Sequence, residues 1–329
     1  MVRVAINGLG RIGRTVLKIA LEKKIDVVAI NDLTSPENLA YLLKYDSTYG
    51  VYPQKIGLEK GFITISGKKI RALSEKDPNK LPWKELKVDV VIESTGFFTT
   101  RPLAALHLKA GAKKVLISAP CKDDVMTVVP GVNETMLKKE HKVISVASCT
   151  TNCLAPVAKV LNDHFKIKKG FMTTIHAYTA DQTLQDAPHH DFRRGRAANE
   201  NLVPTTTGAT ISVEQVIPDL REKLKGLAIR APVICGSLVD FVAELQKKTS
   251  PEELNRILKK AADTKLKGIM EYTEQPIVSS DIVGNSHSSI VDGLSTQVID
   301  GNFVKVIAWY DNEFGYSNRM IDVLKIVKV

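Results

Sequence analysis

The chain has 329 residues, of which 44% are hydrophobic and 25% charged, a composition that excludes a disordered or fibrous protein. No run of apolar residues is long enough to span a membrane. The net charge of +10 favours anionic partners, but the basic pairs are scattered and predict a solvated surface rather than a stripe that binds nucleic acid.

Short apolar runs alternate with helical patterns in the first half of the chain. Ser35-Pro36-Glu37 predicts the start of one helix, and Pro102 to Ala110 predicts another that ends at Gly111. Alternating strands and helices predict a doubly wound (Rossmann) α/β domain with a parallel sheet. The runs that predict its buried strands are Val2–Ile6, Ile25–Ile30, Val88–Ile92, Val115–Ile117 and Val143–Val146.

After about residue 150 the runs become longer, and some alternate as expected for an antiparallel sheet with one covered face. Ser250, Pro251 and Glu253 predict a helix that opens with a capping box, and a last helix is expected over 317–326. Residues 179–204 lack periodicity, and a loop of this length is usually functional. The predicted strands are Phe171–Tyr178, Leu227–Cys235, Leu238–Leu245, Ser289–Ile299 and Phe303–Tyr310.

These patterns and the length predict two domains. Residues 1–148, completed by 312–329, are expected to form the Rossmann domain, and residues 149–311 an α+β domain with a mainly antiparallel sheet. The start, Met1 to Asn7, alternates like a strand and lacks the features of a signal peptide, so a cytoplasmic location is expected. The cysteines fit neither a disulfide framework nor a zinc site, and no metal is expected; they are Cys121, Cys149, Cys153 and Cys235.

A glycine-rich segment, Gly8-Leu9-Gly10-Arg11-Ile12-Gly13, follows the first predicted strand and precedes a helical pattern. Its glycines permit a tight turn, a close approach of a pyrophosphate and close packing of helix on strand. Asp32 lies nineteen residues after Gly13, at the end of the second strand. Its carboxylate suits the ribose hydroxyls and repels a 2′-phosphate, so the segment predicts NAD rather than NADP.

A second segment, Ser148-Cys149-Thr150-Thr151-Asn152-Cys153, lies between a strand and an apolar helical pattern. This places Cys149 at a helix N-terminus, where the dipole is expected to lower the pKa of its thiol. Cys153 lies one turn further and is expected to be buried packing. His176 ends a strand beside the long loop, but periodicity cannot place it next to Cys149, and from position alone a buried structural histidine is the better interpretation.

The residues 147–153 resemble the active-site motif of phosphorylating glyceraldehyde-3-phosphate dehydrogenases, and the resemblance runs essentially from end to end. The other motifs that carry it are Ile6–Gly8, Gly10–Arg14, Leu43–Asp46, Glu93–Gly96, Met172–Thr179, Pro204–Gly208 and Trp309–Tyr316. Together these motifs are very specific.

The resemblance implies that Cys149 is the nucleophile and His176 the base in the oxidation of glyceraldehyde 3-phosphate to 1,3-bisphosphoglycerate, through a thiohemiacetal and a thioester. It assigns Thr179 and Arg230 to the substrate phosphate. It assigns to the attacking inorganic phosphate a second set: Ser148, Thr150, Arg194, Thr207 and Gly208. Which arginine of the loop contacts phosphate stays open among Arg193, Arg194 and Arg196.

For the cofactor NAD, the resemblance adds groups along the binding groove to the glycines and Asp32. These are Arg11, Ile12, Lys76, Ser118, Asn312 and Tyr316, with Asn312 on the nicotinamide carboxamide. Residues 177–203 correspond to the S-loop of the family, which lines the cofactor site and packs between the subunits of a homotetramer.

Two departures and two alternatives remain. Val146 stands where the family often has asparagine, which affects local hydrogen bonding. Ala187 precedes Pro188 where NAD-specific members often have leucine, which leaves room for some use of NADP. A relative that oxidises erythrose 4-phosphate is the nearest alternative, and a basic nucleic-acid-binding role is one of a different class.

Overall fold

The computed structural model describes residues 2–121 and 123–329, which form two compact units. The first unit contains the described residues up to Val128, Glu134–Ala147 and Ser317–Val329, and the second contains Val129–Asn133 and Ser148–Tyr316. Among these described residues, no helix has both the length and the hydropathy that a membrane crossing needs. The expectation for Met1 lies outside the described residues.

The first unit alternates strands and helices along the chain. Its helices are α1 (Arg11–Glu22), α2 (Pro36–Lys44) and α3 (Arg101–Lys109). Its strands are β1 (Arg3–Asn7), β2 (Asp26–Asn31), β3 (Tyr45–Asp46), β4 (Gly50–Val51), β5 (Ile56–Glu59), β6 (Phe62–Ile65), β7 (Lys68–Leu73), β8 (Val90–Glu93), β9 (Lys114–Ile117), β10 (Met126–Thr127) and β11 (Val143–Ser145).

The main sheet of this unit has the order β10-β11-β9-β8-β1-β2-β7-β6-β5. Pairing is parallel from β10 to β7, whereas β7-β6-β5 are antiparallel. The doubly wound α/β prediction is therefore confirmed. Because β1 pairs with β2 on one side and β8 on the other, the strand order reverses at β1, and ligands of such sheets bind at the carboxyl ends there.

Local sequence explains how the helices begin. Ser35 caps α2 by accepting a hydrogen bond from the N–H of Asn38 at 3.3 Å, with Pro36 at the first helical position. Ser250 caps the later helix in the same way, by accepting from the N–H of Glu253. The carboxylate of Glu253 accepts from the hydroxyl of Thr249, so the second half of the predicted capping box is replaced by this contact.

The second unit contains the longer strands. Its strands are β12 (Ile167–Ala177), β13 (Val203–Thr205), β14 (Leu224–Ala231), β15 (Ser237–Leu245), β16 (Met270–Thr273), β17 (Ser289–Ile299) and β18 (Phe303–Tyr310). Its helices are α4 (Cys149–Phe165), α5 (Ala209–Val216) and α6 (Pro251–Asp263), while α7 (Phe314–Ile326) begins here and continues into the first unit.

The sheet of the second unit has the order β13-β14-β12-β15-β18-β17-β16 and is mostly antiparallel, as predicted. The pairs β12–β14 and β16–β17 are parallel. Helix α4 packs on β12, β15, β17 and β18, and this side holds the buried core, including Phe241, Val306 and Leu154. On β18, the indole N–H of Trp309 donates to Asp292 at 3.3 Å.

Candidate active site

A cavity of about 990 Å³ lies in the first unit, at the carboxyl ends of its central strands. A volume of this size is at the upper end of the range for sites that bind a cofactor, roughly 300–1,000 Å³. The exposed apolar side chains of Leu33 and Phe97 form part of its wall. The predicted cofactor residues in its lining are Gly8, Gly10, Asp32 and Lys76.

Glycine occupies each of the three positions of the predicted phosphate-binding turn for a different structural reason. Gly8 has a φ of +90°, and a Cβ there would lie 2.7 Å from the backbone nitrogen of Thr95. A Cβ on Gly13 would overlap the carbonyl oxygen of Gly8, so helix and turn could not pack. Gly10 faces open space, with no atom within 4 Å of a Cβ built there. This is the glycine past which a pyrophosphate can approach the start of α1.

Asp32 is held at the edge of the cavity by backbone donors. Its Oδ2 accepts from the N–H of Leu9 at 2.7 Å, and its Oδ1 accepts from the N–H of Thr34 at 2.9 Å. Each carboxylate oxygen can accept a further hydrogen bond, so the fixed carboxylate suits the two hydroxyls of a ribose.

A buried polar network supports the same strand ends. The Glu93 Oε2 lies 2.6 Å from Asn7 Nδ2 and 3.0 Å from His107 Nε2. Because the indole N–H of Trp83 donates to His107 Nδ1 at 2.9 Å, the proton of a neutral His107 lies on Nε2 and points to Glu93. Asn7 in turn accepts from Asn31, and both asparagines line the cavity. The network therefore fixes the floor of the cavity.

In the second unit, Cys149 is the first residue of α4, as predicted. The hydroxyl of Ser148 caps this helix by accepting from the N–H of Thr151 at 3.0 Å. The Cys149 Sγ lies 3.4 Å from Nε2 of His176, which is the second-last residue of β12. The structure thus brings together the thiol and the histidine that periodicity could not place.

The hydrogen bonds of His176 define which nitrogen is free. Its Nδ1 lies 2.6 Å from the carbonyl oxygen of Ala177, so in the neutral ring Nδ1 carries the proton and Nε2 presents a lone pair to Cys149. Burial, together with the nearby Arg230, lowers the pKa of His176 to about 4. The ring is therefore neutral near pH 7 and can accept a proton.

The expected lowering of the Cys149 pKa is wrong. Burial raises the pKa of this thiol, and this effect outweighs the lowering by the Arg230 guanidinium and by the N–H and hydroxyl of Thr150. The start of the helix does lower the pKa of this thiol, but the loss of hydration of a buried thiolate raises the pKa by more. Cys149 therefore carries its proton, and His176 is the group placed to remove it. Burial also raises the pKa of Cys153, which is fully buried as predicted.

Tyr310 supports the Cys149–His176 pair through contacts with His176 and with residues beside the pair. Its buried hydroxyl lies 2.9 Å from the Thr150 hydroxyl and 2.8 Å from the Thr174 hydroxyl. Its ring meets the imidazole of His176 edge-on, with centroids 6.0 Å apart. Thr150, predicted to bind phosphate, therefore has its hydroxyl within hydrogen-bonding distance of Tyr310.

Two arginines converge on one carboxylate beside the thiol. Arg230 Nη1 donates to the Thr179 hydroxyl at 2.7 Å, and its buried Nε has no hydrogen-bond partner among the residues described. Arg194 Nη1 lies 2.5 Å from Asp181, which also accepts from Thr179 and lies 4.0 Å from Arg230. Burial alone would raise the pKa of the Asp181 carboxyl. The contacts with Thr179, Arg230 and Arg194 nevertheless hold this pKa below its ordinary value. One carboxylate faces two guanidinium groups, which leaves positive charge for an anion.

The other loop arginines are directed elsewhere. Arg193 contacts the carbonyl of Pro204 at 3.5 Å, and the exposed Arg196 pairs with Asp186 at 2.8 Å. Of the three candidates, Arg194 is therefore the one beside Asp181, with its Nε on the Thr205 hydroxyl at 2.9 Å.

The comparisons with known proteins agree across both units. Residues 2–101 match the family described as glyceraldehyde 3-phosphate dehydrogenase, NAD binding domain, and residues 148–312 match the C-terminal domain of the same family. The chain belongs to the glyceraldehyde-3-phosphate dehydrogenase family. It is therefore an NAD-dependent oxidoreductase.

Relatives named glyceraldehyde-3-phosphate dehydrogenase match nearly the whole chain. The protein of Borreliella burgdorferi is 54% identical over 99% of this chain and 100% of its own length. Glyceraldehyde-3-phosphate dehydrogenase 1 of Bacillus subtilis is 54% identical over 98% of this chain and 97% of its own. The protein of Thermotoga maritima is 53% identical over 99% of both chains.

The remaining residues predicted from the resemblance to this family lie in several places. Within the described part of the chain, the cavity lining does not include Arg11, Ile12 or Ser118. Arg11 pairs with Asp46 at 2.9 Å, Ile12 lies in the first turn of α1, and Ser118 follows β9.

The predicted residues Thr207 and Gly208 lie at the start of α5. Gly208 is its N-cap, and the hydroxyl of Thr207 accepts from the N–H of Ala209 at 3.2 Å. Asn312 and Tyr316 are buried in the second unit, and a thiolate at Cys149 would raise the pKa of Tyr316, which burial already raises.

Sequence reasoning missed Asp181, Leu33, Phe97 and Tyr310 as members of these sites. Asp181 lies in a loop without periodicity. The only feature of the sequence that could have identified it is its position two residues after Thr179. Leu33 and Phe97 are exposed apolar residues after strand ends, a position that does mark ligand walls in parallel sheets.

Proposed function

We propose that the chain oxidises D-glyceraldehyde 3-phosphate with NAD and inorganic phosphate, giving 1,3-bisphosphoglycerate and NADH. The observation that carries this proposal is the 3.4 Å contact between the Cys149 Sγ and the unprotonated Nε2 of His176. A thiol beside a neutral base is the arrangement that covalent aldehyde oxidation needs. The positive charge of Arg230 and Arg194 beside it suits phosphorylated reactants.

His176 serves as the acceptor of the thiol proton while the Cys149 Sγ attacks the aldehyde carbon. As the C–S bond forms, His176 passes this proton to the aldehyde oxygen, which completes a thiohemiacetal and returns His176 to its neutral form. His176 then takes the hydroxyl proton as the C–H bond breaks and its electron pair leaves as hydride, so the carbon becomes a thioester. NAD supplies the hydride acceptor in its nicotinamide ring. His176 and the backbone N–H of Cys149 stabilise the oxyanion.

The thioester is then opened by inorganic phosphate. A phosphate oxygen bonds to the thioester carbon, the C–S bond breaks, and the Cys149 sulfur recovers a proton from His176. The product is an acyl phosphate, which retains the oxidation energy that hydrolysis to an acid would lose. The site must therefore hold two anions, one on the substrate and one as attacking nucleophile.

We assign the substrate phosphate to Arg230 and Thr179, because the buried Arg230 Nε is a donor without a partner among the described residues. The attacking phosphate is assigned to Arg194 with residues at the starts of α4 and α5, where free N–H groups and hydroxyls favour an anion. These residues are Ser148, Thr150, Thr207 and Gly208.

The cavity of the first unit fits NAD. The open space at Gly10 lies at the start of α1, which suits the pyrophosphate, and the fixed Asp32 carboxylate suits the adenosine ribose of NAD and opposes a 2′-phosphate. Leu33 and Phe97 provide apolar contact for adenine, with Lys76 at the rim.

The other assignments for the cofactor follow the family pattern. Gly8 and Gly13 shape the turn, and Arg11 and Ile12 lie near the pyrophosphate and the nicotinamide face. Ser118 lies along the groove, and Asn312 contacts the carboxamide with Tyr316 nearby. The proposed domains are 1–148 with 312–329 for NAD binding, and 149–311, including the S-loop 177–203, for catalysis.

We further assign the chain to a homotetramer. On the side of the second sheet away from α4, Phe171 of β12 and Leu227 of β14 are exposed, and Phe171 shows 69% of its surface. The S-loop exposes Leu184, Phe192 and Leu202. Apolar patches of this kind are covered by other subunits. The four free thiols, including the buried Cys121 and Cys235, support a cytoplasmic location.

The decisive experiment follows NADH formation at 340 nm from glyceraldehyde 3-phosphate, with and without inorganic phosphate, and with NADP in a parallel reaction. Strong dependence on phosphate and preference for NAD are expected. Oxidation that proceeds equally well without phosphate would contradict acyl-phosphate formation. A kcat/KM higher for erythrose 4-phosphate would favour that relative instead.

His176→Asn tests the base. The proposal expects the acylation step to slow by about 10²- to 10⁴-fold, measured in a single turnover as the NADH burst. A burst at the wild-type rate would remove His176 from this role. Salt-sensitive binding to nucleic acid with no NADH formed would favour the binding-protein alternative.

A further inference from the structure

The amide of Asn312 is held in one orientation by the turn that precedes β15. Its side chain is buried, and its Oδ1 accepts from the N–H of Gly236 at 3.2 Å and from the hydroxyl of Ser237 at 2.9 Å. The Cys235 Sγ also lies 3.8 Å from Oδ1, although its shorter contact, at 3.2 Å, is with Asp311 Oδ1. The Nδ2 group makes no hydrogen bond to any residue that the structure describes.

Two backbone N–H groups fix the direction of these hydrogen bonds. The N–H of Gly236 can only donate, so the atom of Asn312 that faces it must be the oxygen. The N–H of Ala177 donates to the Ser237 Oγ at 3.1 Å. That contact uses the hydroxyl as an acceptor and leaves its proton for Asn312. A reversed amide would place an NH₂ group against the N–H of Gly236.

We propose that Ser237 is a positioning residue for the nicotinamide: its hydroxyl, oriented by the N–H of Ala177, holds Asn312 so that only Nδ2 donors face the ligand. The group recognised by Asn312 is then a hydrogen-bond acceptor, which in the nicotinamide carboxamide is the carbonyl oxygen. This inference rests on the proposed contact between Asn312 and the carboxamide.

The backbone of Ala177, which binds Ser237, also contacts the base and the substrate arginine. The carbonyl of Ala177 accepts from His176 Nδ1 at 2.6 Å and from Arg230 Nη1 at 3.4 Å, while its N–H binds Ser237. Ser237 thus joins the position of Asn312 to the strand end that orients His176. A displaced Ser237 would affect cofactor orientation and proton transfer together.

The backbone places Ser237 where this link needs it. Ser237 is the first residue of β15 and pairs with Tyr310, two residues before Asn312. Gly236 has a φ of +93°, and a Cβ there would overlap the carbonyl oxygen of Ser279, so only glycine turns the N–H toward Asn312. The position of the hydroxyl is therefore a consequence of the strand register and of this turn.

The test compares two ligands by calorimetry on cofactor-free Ser237→Ala. NAD contains the carboxamide, whereas ADP-ribose shares the rest of the molecule and lacks the nicotinamide. Loss of one hydrogen bond that orients Asn312 should weaken NAD by about five-fold, while the Kd for ADP-ribose stays within about two-fold. Ser212→Ala, which removes another buried hydroxyl of the same unit, should change neither Kd.

Each outcome has one meaning. Equal NAD affinity in Ser237→Ala and wild type, with Asn312→Ala weakened for NAD only, would overturn the role of Ser237 and leave the Asn312 contact intact. An unchanged ratio of the two Kd values in Asn312→Ala would instead remove the Asn312 contact. Weakening of both ligands in Ser237→Ala would show a general structural role and overturn the inference.

A second measurement needs no variant and stands if Ser237→Ala does not fold. The wild-type protein is titrated with the 3-acetylpyridine analogue of NAD, which keeps the carbonyl acceptor, and with the 3-aminopyridine analogue, which has only donors. The proposed orientation predicts that the acetyl analogue binds within about three-fold of NAD and that the amino analogue is at least five-fold weaker. The reverse order would overturn the proposed orientation of Asn312.

Discussion

The cofactor cavity and the Cys149 site are both proposed to bind anionic ligands, but they are built from different parts of the chain. The cavity uses a glycine turn, backbone N–H groups that hold Asp32, and the ends of adjacent parallel strands. The Cys149 site uses side chains from α4, β12, β14 and the S-loop, with Arg230 and Arg194 facing Asp181. Backbone recognition depends on shape, whereas the second site depends on individual side chains.

This difference predicts how each site responds to substitution. A ligand held by several backbone donors loses little when one side chain changes. A reaction that depends on one thiol, one imidazole and two guanidinium groups loses much more. Substitutions on the two sides therefore test the comparison directly.

The largest effect is expected from Cys149→Ala. Without the thiol no thioester can form, so kcat should fall by at least about 10⁴-fold, while the Kd for NAD changes by less than about two-fold. Both are measured on the same preparation, by NADH formation and by calorimetry. Cys153→Ala, one turn along α4, should keep turnover within about three-fold. Residual turnover near wild type in Cys149→Ala would refute the covalent route.

Arg230→Ala should have the next largest effect. Removal of this partly buried guanidinium deprives a phosphate of charge-assisted hydrogen bonds, and kcat/KM for glyceraldehyde 3-phosphate should fall by about 10²- to 10³-fold. Steady-state kinetics at saturating NAD measures it. Arg196→Ala removes an exposed arginine paired with Asp186 and should change kcat/KM by less than about two-fold. Equal losses in both variants would mean that net charge alone matters.

The pH dependence of stability reports on His176. Because its pKa is lowered to about 4, the unfolded chain binds a proton between pH 4 and about 6.5 that the folded chain does not. This contribution to stability is complete above pH 6.5 and is lost as the pH falls toward 4, by about 3 kcal/mol. Urea titrations across this range should show a shallower pH dependence for His176→Asn. An unchanged slope in His176→Asn would contradict the burial argument.

The smallest effect is expected on the cofactor side. Asp32→Asn keeps the shape and removes the charge that opposes a 2′-phosphate, so the ratio of kcat/KM for NAD over NADP should fall by about ten-fold. Activity with NAD should remain within about ten-fold of wild type, because the glycine turn is unchanged. A loss of kcat/KM with NAD as large as the loss expected for Arg230→Ala would contradict the difference proposed between the two sites.

Sequence reasoning described the cofactor side better than the catalytic side, for a physical reason. Gly8, Gly13 and Asp32 act through local backbone geometry, which the order of residues determines, and the structure places them as expected. The antiparallel extension β5-β6-β7 was missed, because its short strands carry mixed charged and apolar residues. The long strands β17 and β18 were predicted with their observed bounds.

The catalytic side depends on distances that no periodicity contains. The contact of His176 with Cys149 and the meeting of Arg194 with Asp181 arise from sheet pairing and from the fold of a long loop. Only the resemblance to a family placed His176 together with Cys149, and no feature of the sequence placed Asp181 beside Arg194. The pKa direction of Cys149 was wrong because the sequence shows the helix start but not how deeply the sulfur is buried.

The two tryptophans of the chain lie in different units, so their fluorescence can report the unfolding of each unit separately. Trp83 is fully buried in the first unit, with its indole bonded to His107, whereas Trp309 lies on β18 in the second and donates to Asp292. In Trp309→Phe the remaining fluorescence reports the first unit, and in Trp83→Phe it reports the second. Coincident denaturation midpoints would show one cooperative transition, and separate midpoints would rank the two units in stability.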